Sequence, residues 1–470
     1  MGDRLPLMDA GWLMVESRET PMHVAGLQLF TPPQGVPPTF IGDMLRNLVA
    51  THKPTAPFNQ RLERPYGRAG MFHWTEDENI DLEYHVRHSA LAAPGRIREL
   101  LALTSRLHST LLDRHRPLWE LHLIEGLNDG RVAVYTKFHH SLFDGVGAMR
   151  QILEAFSPDP ERTDLPAPWA IEPKPRRARD RVEGGERSGA SPLGLLSKVV
   201  GAPIGQALAA GGAGVALTKE VIDRLRGGDD PILFSAPSSI LNGRISGSRR
   251  FAADSWSLER IKLCGKAHGA TINDVVMAVC AGALRGYLDD LGELPDKPLV
   301  AMVPVSIRPE DSGDGTSSNR GNALSMLLAD LATDEPDPVK RLARVKSSMD
   351  TGKARLKSMS HQELVDYALV LTAPNLVGSL TNLAGRTPPS CNLVISNVPG
   401  PREPLFWNGA KMDGMYPASL IPQGQALNIT LTSYVEEIAF SVTADRKTLP
   451  SVQRLLIHFE EALAELEARA

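Results

Sequence analysis

The stretch VAVYTKFHHSLFDG, from Val132 to Gly145, decides how the rest of the chain is read. Val132, Val134, Thr136 and Phe138 alternate with period two, which predicts a strand with one face turned to a core. That strand runs straight into His139 and His140, and Asp144 and Gly145 close the segment. A neutral imidazole, with a reference pKa of about 6.5, accepts a proton at cytosolic pH, so a histidine at a strand end is a candidate general base. Asp144 is placed to fix the backbone that presents it. Gly145 is expected to close the loop tightly, in a conformation that residues with side chains resist. The bland alternative is one packed and one solvated histidine. A metal site is the other alternative, since His and Asp both ligate zinc. Adjacent histidines point to opposite faces of an extended strand, however, and no HExxH or CxxC completes a ligand set, so no metal is expected. No GxSxG elbow occurs, which argues against a serine hydrolase of the α/β type.

With 470 residues, 42% apolar and 23% charged, the chain is ordinary globular material and too long for one core, so two domains are expected. A net charge of -4 gives no long-range attraction for nucleic acid, and no basic recognition helix is present, so nucleic-acid partners are set aside. Cys264, Cys280 and Cys391 lie far apart, which leaves neither a metal pair nor a disulfide framework and points to a reducing cytosol. The opening, MGDRLPLMDAGWLMVE, carries Asp3, Asp9 and Glu16 and no apolar run with a cleavage site, so no secretory signal is expected. Val199 to Thr218 and Tyr367 to Gly385 are uncharged. Pro203 and several glycines in the first, and Pro374, Asn375 and Asn382 in the second, argue against membrane spans.

Short β-type runs alternate with helical ones, which predicts a mixed α/β fold. Strands are expected at His23 to Phe30, at WELHLIEGL and at RVAVYTKFHH. Between Arg96 and Leu112, the residues Ile97, Leu100, Leu101, Thr104 and Leu107 form an amphipathic stripe. Residues 1–170 read as one domain, 171–245 as a crossover linker and 246–470 as a second domain. In that second domain Ser257 and Thr271 are expected to cap helices, with Asp274 completing a capping box and Val276, Val279, Cys280, Ala283 and Tyr287 forming a buried face. LVAMVPVSI is a strand ending at Arg308, Ser360 and Glu363 open a helix, and NLVISNVPGP is a strand ending in a turn. In the linker, Leu193, Leu196, Val200, Ile204 and Leu208 recur at helical spacing, the pattern of an interfacial or covering helix. The basic run Lys174, Arg176, Arg177, Arg179 and Arg181 reads as a solvated linker.

HHSLFDG matches the pattern HHxxxDG and resembles the active-site motif of the CoA-dependent acyltransferase superfamily, which includes chloramphenicol acetyltransferase, plant acyltransferases and nonribosomal-peptide condensation domains. PMHVAGLQLF, RPLWE from Arg116, NDVV from Asn273, PVSIR from Pro304 and SNVPGP from Ser396 further resemble the signature segments of bacterial wax ester synthase/diacylglycerol acyltransferases, in the same order along nearly the whole chain. That resemblance implies two chloramphenicol-acetyltransferase-like domains with an active-site tunnel at their interface. It implies an O-acyltransferase that moves a long-chain acyl group from acyl-CoA to a fatty alcohol or a diacylglycerol, with no cofactor beyond acyl-CoA as co-substrate; with no GxSxG elbow in the sequence, direct transfer without a covalent enzyme intermediate is the simpler reading. By match, His140 would be the base and His139 its support, and Asp144 would pair with Arg308. Asn273 would aim an amide at the oxyanion, the alternative being a polar residue at a helix start; Pro117, Leu118 and Trp119 would line the acyl or alcohol channel or else pack in the interior, with Gly145 also at the substrate. A cytoplasmic protein is expected, touching the inner face of the membrane or lipid inclusions at its periphery. The rivals are an acyltransferase with another acceptor and a non-catalytic protein that coats lipid droplets.

Overall fold

The computed structural model describes residues 3–5, 7–64, 72–171, 236–306, 324–360, 363–364, 367, 371 and 389–470. The first half runs β1 (Asp3–Arg4), α1 (Leu7–Val15), β2 (His23–Thr31), α2 (Phe40–Thr51), β3 (Gln60–Glu63), β4 (His73–Glu76), α3 (Leu82–His85), β5 (Val86–Ala90), α4 (Ile97–Ser109), β6 (Trp119–Glu125), β7 (Val132–His139) and α5 (Gly145–Leu153). The second half runs β8 (Arg249–Ser257), α6 (Leu258–Ala267), α7 (Ile272–Asp290), β9 (Val300–Ser306), β10 (Leu324–Asp330), α8 (Pro338–Ser358), β11 (Leu393–Val398), β12 (Phe406–Trp407), β13 (Ala410–Ala418), β14 (Leu427–Tyr434), β15 (Glu437–Asp445) and α9 (Leu455–Glu467). Arg308, the linker stripe from Leu193 to Leu208, the basic run from Lys174 to Arg181 and most of the stretch from Tyr367 to Gly385 lie outside the described residues.

Two six-stranded sheets form, in the orders β12-β13-β2-β7-β6-β5 and β10-β9-β11-β14-β15-β8, with β1, β4 and β3 as a small third sheet. The mixed α/β class and the two-domain arrangement both follow from this. The division of the chain at 1–170 and 246–470 does not follow the sheets strand by strand, because β12 and β13 complete the first one. Met415 lies opposite Gln28 and Tyr416 opposite Leu27. The cause is apolar: Trp407, Met412 and Met415 are buried in the same cluster as Phe30, Trp119 and Phe138. Full burial of a side chain of this kind contributes roughly 1.5 to 3 kcal/mol.

The first domain reaches back through α4. Its Ser105 and Ser109 hydroxyls accept the Phe251 and Arg249 N–H groups at 2.9 and 2.8 Å, covering the outer edge of β8. An uncovered edge would be open to pairing with another chain. The buried face of α4 is accordingly Leu100, Thr104, Ser105 and His108, turned from the predicted stripe toward β8. β7 is buried along its whole length, not on one face only, because α4 covers the side the alternation left polar.

In the second domain α7 opens with the expected capping box, Asp274 N–H donating to Thr271 Oγ1 at 3.2 Å and Thr271 N–H to Asp274 Oδ2 at 3.0 Å. The expected face is buried, and so are Val275, Met277, Ala278 and Leu284, so the core wraps this helix almost completely. Ser257 precedes α6, but its side chain makes no cap bond. Ser360 N–H donates to Glu363 Oε2 at 2.7 Å, as the spacing predicted. Among the described residues no single helix is long and apolar enough to cross a membrane.

Candidate active site

β7 carries the site to its place and three backbone bonds hold it there. His139 N–H donates to the Leu118 carbonyl at 3.0 Å, His140 N–H to the Met22 carbonyl at 2.8 Å, and Leu142 N–H to the His139 carbonyl at 2.9 Å. The chain then turns into α5 through Asp144, a half-buried N-cap residue whose Oδ1 accepts the Gly147 N–H at 2.6 Å. A carboxylate at a helix start satisfies a donor that has no partner within the helix.

The two histidines face different surroundings. His139 is fully buried, and its Nδ1 accepts the Ser141 N–H at 3.1 Å and lies 2.7 Å from Ser141 Oγ. A backbone N–H only donates, so the imidazole proton sits on Nε2, which faces Glu16 Oε1 at 3.4 Å. Glu16 is held in turn by Arg114, whose Nε and Nη2 reach Oε2 at 3.0 and 2.8 Å, and by the Met22 N–H, 3.1 Å from Oε1. Burial pushes the Glu16 carboxyl up, but His139, the Met22 N–H and Arg114 outweigh it and hold it below the usual carboxylate range.

His140 keeps part of its surface open, and its ring lies against Trp12 with centroids 4.2 Å apart and planes 35° from each other. Burial pushes its pKa down to about 4, while nearby Asp144 favours the charged form and His139 opposes it. The ring is therefore neutral at cytosolic pH and free to take a proton. The accompanying cost is a weaker base than an imidazole in water.

The other predicted residues fall into three groups. Gly145 is exposed, lies outside the left-handed region, and a Cβ built there meets nothing within 4 Å. It does not close the loop, as was expected of it; it is the first residue of α5 beside open space. Pro117, Leu118 and Trp119 are buried in protein: Trp119 Nε1 donates to the Phe58 carbonyl at 2.8 Å, with His85 and Trp169 stacked against it. Leu118 serves the site through its carbonyl, which fixes His139. Asn273, at the start of α7, accepts a hydrogen bond from Asn397 Nδ2 at 3.3 Å, which joins the two signature segments NDVV and SNVPGP. Among the described residues no hydrogen bond links Asn273 to either histidine, and no three His, Cys, Asp or Glu side chains converge as metal ligands. Trp12, Glu16, Arg114 and Ser141 were not singled out from the sequence. The signal for the first two is the one-turn spacing of Trp12 and Glu16 in MDAGWLMVE.

Residues 5–276 match the family model for the wax ester synthase/diacylglycerol acyltransferase catalytic domain, and residues 320–467 match the model for the C-terminal domain of the same family. The O-acyltransferase WSD of Acinetobacter baylyi is 44% identical over 464 residues, 98% of this chain and 96% of that one. A wax ester synthase/diacylglycerol acyltransferase from Marinobacter aquaeolei superposes with a TM-score of 0.80 at 42% identity, covering 99% of both chains. The starter condensation domain of rhizomide synthetase shares the fold at a TM-score of 0.55 and 12% identity, over 99% of this chain and 94% of that one. With HHSLFDG placed at a strand end between two sheets of this architecture, the chain belongs to the wax ester synthase/diacylglycerol acyltransferase family of O-acyltransferases.

Proposed function

We propose that the protein transfers a long-chain fatty acyl group from acyl-CoA directly to the hydroxyl of a fatty alcohol or a diacylglycerol, with His140 as general base. The observation that carries this is the partly open imidazole of His140, held by its backbone at the end of β7, next to the segment that turns into α5 through Asp144. His140 takes the hydroxyl proton as the oxygen attacks the thioester carbonyl. The new C–O bond forms, the C–S bond breaks, and coenzyme A leaves as a thiolate that recovers the proton from the imidazolium. Positioned proton transfer of this kind is worth about two to four powers of ten in rate. Asn273 suits an oxyanion donor, because Asn397 occupies its Oδ1 and leaves the NH2 end for a ligand.

Thiol release from palmitoyl-CoA in the presence of hexadecanol tests the reading. His140→Ala is expected to lower turnover at least about a hundredfold while the protein still unfolds cooperatively. Turnover within a few-fold of the parent would refute His140 as the base. Acyl label retained covalently on the protein after incubation with acyl-CoA alone would refute direct transfer.

A further inference from the structure

We infer that one turn of the N-terminal helix, Trp12 and Glu16, is a clamp that positions both histidines of HHSLFDG, and that both are positioning residues for the transfer reaction. This rests on His140 being the base. Trp12 lies in α1 and Glu16 directly follows it, with Glu16 N–H donating to the Trp12 carbonyl at 3.2 Å, so the two side chains share one helix face. Trp12 covers one face of the His140 ring at 4.2 Å. Glu16 acts twice: its Oε1 faces His139 Nε2 at 3.4 Å and also accepts the Met22 N–H, and the Met22 carbonyl takes the His140 N–H.

The support continues outward. Glu16 is anchored by the Arg114 guanidinium, which also donates to the Leu13 carbonyl at 2.7 Å, tying α1 to the segment before β6. His139 then holds Ser141, the residue that follows His140. The chain of contacts from Arg114 through Glu16 and His139 to the turn thus fixes where the His140 ring stands, and Trp12 fixes which way it lies. Among the described residues the charged or titratable groups acting on His140 are Asp144 at the start of α5 and His139 on β7; Trp12 contributes no charge and acts by keeping water off the ring. Placement matters because a displacement of about 1 Å at a reacting group costs on the order of a hundredfold in rate.

The test is the pH profile of kcat/KM for palmitoyl-CoA and hexadecanol in Trp12→Ala, Trp12→Phe, Glu16→Gln and His140→Ala, with thermal melts of each. Trp12→Ala should move the acid limb up by about one pH unit, as water reaches the ring and its proton affinity rises toward that of free imidazole. Trp12→Phe should restore most of the shift. Glu16→Gln should lower kcat/KM by about ten- to a hundredfold while the protein stays folded at assay temperature. If Trp12→Ala does not fold, Glu16→Gln still decides. Parent-like profiles and rates in whichever of Trp12→Ala and Glu16→Gln fold, with His140→Ala inactive, would overturn the clamp alone. An active His140→Ala would overturn the base assignment on which it rests.

Discussion

Gly145 and Gly147 sit two positions apart in the first turn of α5 and have opposite surroundings. A Cβ on Gly145 meets open space, whereas one on Gly147 comes 3.0 Å from Asp144 Oδ1. Gly145→Ala should therefore melt at or above the parent temperature, since an alanine that fits reduces the freedom of the unfolded chain by about 0.4 to 1 kcal/mol. Gly147→Ala should lose roughly 1 kcal/mol as the carboxylate is pushed off its cap, and activity with it. Melting curves and turnover of the two variants check this, and a parent-like Gly147→Ala would remove the cap from the account. A stable but slow Gly145→Ala would mean that substrate fills the open space. His139, His140 and Asp144 could be located from the sequence because their motif is local. Gly145 differs from its expected role because a glycine at a loop end suggests an unusual φ, and a helix start needs none. Trp12 and Glu16 gain meaning only when α1 meets β7, a contact no local pattern encodes.

β6 and β7 meet in a buried charge cluster. Lys137 is fully buried, with Nζ 3.1 Å from Glu120 Oε2 and donating to the Leu107 and Thr110 carbonyls at 3.2 and 3.0 Å. Burial pushes the Glu120 carboxyl up, yet His122, Lys137 and Arg87 hold it down to about 2. Removing one member of such a pair strands the other, at a typical cost of about 3 to 5 kcal/mol. Lys137→Met should lose stability on that scale in urea unfolding, and adding Glu120→Leu should recover a large part of it. A Lys137→Met loss below about 1 kcal/mol would mean that His122 and Arg87 suffice for Glu120. The alternation of Val132, Val134, Thr136 and Phe138 correctly gave the strand and one buried face. It could not reveal that Tyr135, Lys137 and His139 are buried as well, because α4 and its end meet the first two and Glu16 faces the third, all from elsewhere in the chain.

Across the whole molecule, folding buries neutral histidines. Burial lowers the proton affinity of His23, His85 and His122, takes His108 down to about 3 and His140 to about 4. Each folded-state pKa lies below the unfolded value of about 6.5, so below that pH the unfolded chain binds protons that the folded chain refuses. Stability is then full above about pH 6.5 and falls as the pH drops toward the folded-state values, by up to about 1.4 kcal/mol per pH unit each for His108 and His140. Urea midpoints taken at about pH 7.5, 6.5 and 5.5 should decline steeply over the last step, and a flat series would contradict the burial of these rings in neutral form. Element types and their order were largely readable from the sequence, whereas the pairing of β13 with β2 was not, since strand partners carry no local mark of their address. That pairing also has a meaning in time. Thr31 on β2 hydrogen-bonds Asp413 on β13, 382 positions later. At ribosomal rates of about 5 to 20 residues per second, roughly 20 to 75 seconds of synthesis separate the two strands. Throughout that interval β2 lacks one of its two sheet neighbours, so any sheet the first half forms on its own ends in an edge open to pairing with another chain.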